Sequence, residues 1–98
     1  MLERDFQSKL IKEIKDVLGD MNVIVMKNDP NYIQGIPDLV ILGYDRWAAL
    51  EVKKSAKEPH RPNQDWYVER MDDMSFARFI FPENKAEVMD ELHKFFTA

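Results

Sequence analysis

Cysteine is missing from this chain altogether. No disulfide framework and no thiolate metal site can be built, and a reducing, cytoplasmic compartment is the simplest expectation. Long hydrophobic runs are missing too, since nothing approaches the roughly 20 apolar residues of a membrane span. The first residues include Glu3, Arg4 and Asp5, which is not the pattern of a secretory signal. Positive charge is not in excess: 14 Lys and Arg against 18 Asp and Glu give a net charge of -4. That excludes coating a polyanion by bulk charge. There is no internal repeat, low-complexity tract or linker. What remains is 98 residues, 45% hydrophobic, enough for one compact domain over positions 1–98 with a modest core.

Periodicity supplies the elements. Leu2, Phe6, Leu10, Ile14, Val17 and Leu18 recur at helical spacing over 2–18, and Gly19 is a natural left-handed stop. On that wheel Glu3 falls in line with Leu10 and Ile14, with Gln7 beside it. A carboxylate facing inward is costly unless paired or metal-bound. A Glu in a first turn can equally fray into water and favour the helix dipole. The wheel leaves both readings open. Met21–Met26 reads as a short buried strand ending at Lys27. A loop rich in turn formers, 28–35, follows. Leu39–Leu42 is the most continuous apolar run, expected to be a central strand covered on both faces. Residues 43–46 turn the chain, and 47–53 return as a strand. Arg61-Pro62-Asn63-Gln64 looks like the start of a helix with Pro62 at its first position and Tyr67, Val68 and Met71 as its stripe. Extended back one turn, that stripe reaches Gln64. Trp66 lies off it, toward solvent, and packing on a neighbouring loop is the preferred reading over stacking on a base. Phe76–Phe81 is a fourth strand, and Glu83–Phe96 a last helix of core residues, with His93 a favourable charge near its C-terminal end. The order is α-β-β-β-α-β-α: an α/β fold with a small mixed sheet of about four strands flanked by helices.

The chemistry gathers on the two middle strands. If the 43–46 turn is symmetric, Leu42 faces Trp47 and Asp38 faces Glu51, with Cβ atoms about 5 Å apart. A bulge in the turn would spoil that register. Glu51 and Lys53 share one face because side chains alternate along a strand. Two bare carboxylates that close repel, and a dication between them removes the repulsion. Phosphodiester hydrolysis needs a nucleophilic water, neutralised phosphate charge and a stabilised leaving oxygen, which a divalent metal can supply. Mg2+ prefers oxygen ligands and keeps several waters. Asp38 and Glu51 are the expected direct ligands, with the Val52 carbonyl as a third. Lys53 is placed to orient water or stabilise phosphorane charge. Glu3 would reach the metal through water, and Gln64 would hold the water or the scissile phosphate. Lys53, Lys54, Lys57, His60 and Arg61 form a basic stretch opposed by Glu58. As a charge run alone it reads as a solvated loop.

The set Gly35-Ile36-Pro37-Asp38, Glu51-Val52-Lys53, Glu3 with Gln7 and Pro62-Asn63-Gln64 resembles the PD-(D/E)XK, restriction-endonuclease-like nucleases. Within them it is most similar to the short stand-alone VRR-NUC domains of phages and bacteria. The resemblance spans Glu3 to about Met71. It implies an endonuclease using Mg2+ or Mn2+, with Asp38, Glu51 and Lys53 as its catalytic core and Glu3 and Gln64 in support. It also implies a homodimer acting on branched DNA such as Holliday junctions. The basic stretch, Lys54, Lys57, His60 and Arg61, would then contact DNA. The paired arginines of the branch are missing: Tyr32-Ile33-Gln34 fills their place before Gly35, and Lys27 is the candidate substitute. The alternative is a catalytically silent nuclease-fold DNA-binding or assembly module.

Overall fold

A computed structural model describes residues 2–98. The elements are α1 (Glu3–Val17), β1 (Ile24–Lys27), β2 (Leu39–Leu42), β3 (Trp47–Val52), α2 (Gln64–Met74), β4 (Phe76–Ile80) and α3 (Lys85–Thr97), in the expected order. They build an α/β fold on a mixed sheet of order β1-β2-β3-β4. β1–β2 and β2–β3 are antiparallel, whereas β3 and β4 are parallel. A parallel pair needs a crossover, and α2 provides it.

Strand alternation sorts the side chains into two layers. On one face Leu39, Ile41, Ala48, Leu50, Val52, Phe76 and Ile80 form the main core with Phe6, Leu10 and Ile14 of α1 and Val88, Met89 and Leu92 of α3. On the other, Ala49 and Ala77 lie under Val68 of α2. Small residues there let the helix approach the sheet closely. A Lys85–Glu13 ion pair of 2.8 Å ties α3 to α1.

Several expectations need correction. β1 starts at Ile24, later than expected, and it is the exposed edge of the sheet, with Ile24 60% and Met26 43% accessible. Apolar composition alone does not separate an edge strand from a buried one. β2 is not covered on both faces: Leu39 and Ile41 are buried, but Val40 and Leu42 are half-buried, because α2 lies over β3 and β4. Val17 and Leu2 are exposed, and Leu18 alone continues the stripe inward. Gly19 is not a left-handed stop; it opens a 3-10 turn, and Asn22 takes the left-handed conformation (φ 52°). Nor is Pro62 the first helical residue. α2 begins at Gln64, after Asn63 in the left-handed region (φ 71°).

Candidate active site at the rim of the sheet

The hairpin turn is symmetric. Leu42 pairs with Trp47 and Leu39 with Leu50, so the next step outward sets Asp38 against Glu51. Asp38 is held from both sides. Its Oδ2 accepts the Val52 backbone N–H at 2.9 Å. Its carbonyl accepts the Asn28 backbone N–H at 2.8 Å, and the Asn28 side-chain amide donates to the Pro37 carbonyl at 2.7 Å. Pro37, without a donor of its own, sits just before the strand, where none is required. Asn28 thus clamps the turn that carries the acid.

Glu51, Lys53 and Gln64 are the buried polar residues of the described chain, at 3%, 2% and 8% exposure. Lys53 Nζ donates to Gln64 Oε1 at 2.6 Å and to the Pro59 carbonyl at 3.2 Å. Gln64 Oε1 also accepts the Arg61 backbone N–H at 2.8 Å. The first side chain of α2 therefore fixes the lysine at the end of β3. Gly35 fixes α2 in turn. It has φ +90°, and a Cβ there would stand 2.7 Å from Asn63 Cβ and 2.8 Å from the Pro62 carbonyl oxygen. The two loops that frame the site touch at this glycine.

Burial pushes the Glu51 carboxyl up to about 9, helped by its hydrogen bond with Asp38 and by the Asp38 charge, against the opposing pull of Lys53. Burial thus favours the protonated form of the Glu51 carboxyl, with Asp38 as its hydrogen-bond partner. Glu3 is also raised, by burial first and then by the charges of Glu58 and Asp38, against Lys53 and Arg61. Its inward placement on the helical wheel holds: Glu3, Asp38, Glu51, Lys53 and Gln64 line one cleft of about 300 Å³.

Of the residues expected to contact DNA, Arg61 lines that cleft, and Lys27, Lys54, Lys57 and His60 do not. His60 turns instead to Asp65 at 2.7 Å and stacks on Phe79 at 4.0 Å. Sequence reasoning missed Glu58, Asn31 and Gln34, which also line the cleft. They lie in loops, where no periodicity marks direction. Among the described residues no three Asp, Glu, His or Cys side chains cluster as a ready-made metal cage. Asp38 and Glu51 form a pair, and Glu3 lines the same cleft without completing a triad.

No family model and no curated protein matches the sequence. A solved structure described as a VRR_NUC domain is similar in fold, with a TM-score of 0.62 over 89% of this chain and 92% of that one. Identity between the two is 22%. The chain thus shares the fold of that domain, the fold that the sequence motifs suggested. No helix among the described residues is long and apolar enough to cross a membrane.

Proposed function

We propose that the chain is a metal-dependent DNA endonuclease. The observation that carries this reading is the placement of Asp38, Glu51 and Lys53 around one cleft, with the acid and the lysine both buried. Burying Glu51, Lys53 and Gln64 serves packing poorly. It serves a reaction that needs fixed charges. In hydrolysis a water oxygen adds to phosphorus, a P–O ester bond breaks, and the departing sugar oxygen takes up a proton.

The donor set suits a hard divalent cation, Mg2+ or Mn2+. Two carboxylates set side by side offer hard oxygen ligands, and Mg2+ keeps several waters, so few protein ligands are needed. Asp38 and Glu51 would hold it, with the Val52 carbonyl as a third ligand and Glu3 acting through water. When bound, such an ion supplies a more acidic water and neutralises phosphate charge. Lys53 has three N–H donors, and two are taken by Gln64 and Pro59. The third is available to a phosphate oxygen. Gln64 acts as a positioning residue for the lysine, in addition to the expected role of holding the water or the scissile phosphate.

We further propose branched DNA, such as a Holliday junction, as substrate, and a homodimer as the working form. Paired cuts need two sites. Ile24 and Tyr44, 60% and 92% exposed, flank an apolar patch at the far end of the sheet that a second copy would cover. Incubation with four-way, flap and linear DNA tests the activity. Cleavage in magnesium that stops in EDTA is expected, with the branched substrates cut faster than the linear duplex. Binding of all three without cutting in any metal would favour a silent DNA-binding module.

A further inference from the structure

A second hollow, of about 370 Å³, adjoins the cleft. Ile36 borders both, so the two lie on either side of one turn. Its walls include Ile33, Ile36, Val40 and Met71, and Tyr32 stands at its edge. Tyr32 is 84% exposed, so its ring does little for the core. The volume lies at the lower end of the about 300–1,000 Å³ typical of small-ligand pockets.

Charge separates the two sides of the site. The wall formed by 53–64 brings two cations, Lys53 and Arg61, and one acid, Glu58, to the cleft. The loop from Asn28 to Pro37 has no lysine or arginine. Asp29, the one acid lining the hollow, would repel a phosphate. An apolar floor, an exposed aromatic ring and no positive charge suit a neutral planar group. Beside a phosphodiesterase cleft, such a group is a nucleobase.

We propose that this hollow takes an unpaired base of the strand whose phosphate lies in the cleft, stacked on Tyr32. The inference rests on reading the cleft as a phosphodiesterase site, and it specifies the substrate further. A base inside a duplex is stacked and paired, and extruding it costs a few kcal/mol. An already unpaired base enters without that cost. The preferred DNA therefore carries an unpaired nucleotide beside the cut phosphate, and selection comes from the neutral loop.

The test is binding of the whole chain to duplexes with and without a single 2-aminopurine bulge, with calcium in place of magnesium so that binding is read without turnover. Wild type and Tyr32→Phe should prefer the bulged duplex about tenfold, the scale of one stacked base, and should change the probe's fluorescence. Tyr32→Ala should lose both effects. Equal affinity of the wild type for the two duplexes, or a preference that survives Tyr32→Ala, overturns the base site alone. A Tyr32→Ala chain that changes its sedimentation but keeps its DNA preference also overturns it, and assigns the hollow to a second copy. Failure to bind either duplex would overturn the proposed function itself.

Discussion

Glu51 lies 3% exposed beside Asp38, and its carboxyl is pushed up to about 9. In the unfolded chain the same group ionises near 4.5. Between these values the folded protein holds a proton that the unfolded one has lost, so stability falls as pH rises through that window. Below it both states are protonated and the effect vanishes. Urea midpoints in EDTA should therefore fall from pH 5 to pH 9, and Glu51→Gln should flatten the slope and be the more stable protein at pH 8. Equal slopes would remove the buried proton from the account. Metal should displace that proton. Calorimetry of Mn2+ binding at pH 7, in two buffers of different ionisation heat, should give release of about one proton per ion. Lys53→Ala should slow single-turnover cleavage by about 10²–10³-fold, the scale of one lost electrostatic donor, and leave DNA binding within a few-fold. Gln64→Ala should slow cleavage less, because the Pro59 carbonyl still holds the lysine.

Elements position these residues, and their contacts decide what a substitution does. Gly35 and Gly19 make a matched pair. Gly35 has positive φ and would thrust a Cβ into Asn63, so Gly35→Ala should displace the start of α2 and reduce cleavage. Gly19 has open space around it. Gly19→Ala should stabilise the fold by about 0.4–1 kcal/mol by restricting the unfolded chain, as a urea titration would measure. The Asp38–Glu51 register was readable because a symmetric turn and period-two alternation leave little freedom. Helical phase set Glu3 in line with Leu10 and Ile14 but left open whether it turned inward or frayed into water; its place at the cleft came from the packing of α1 on the sheet. Edge position was not, because Ile24-Val25-Met26 looks the same whether a neighbour covers it or water does. The start of α2 was misplaced because proline at a first turn is a common signal, whereas the left-handed Asn63 is fixed by Gly35, far away in sequence. The union of Lys53 with Gln64 was missed for the same reason: it depends on a loop packing that no periodicity encodes.

At the scale of the molecule, the net charge of -4 coexists with a cleft in which Lys53 and Arg61 oppose the acids Glu3, Asp38 and Glu58. The proposed dimer should show in sedimentation equilibrium, and Ile24→Asp should shift it toward monomer without changing the Glu51 proton. A protein that sediments as monomer with and without junction DNA would defeat that proposal. The central claim is that Asp38 and Glu51 together hold one divalent cation beside Lys53. Anomalous scattering from a crystal soaked in manganese tests it most directly. A peak between the two carboxylates, within ligand distance of both, is predicted. Manganese bound elsewhere, with no peak between Asp38 and Glu51, would contradict it.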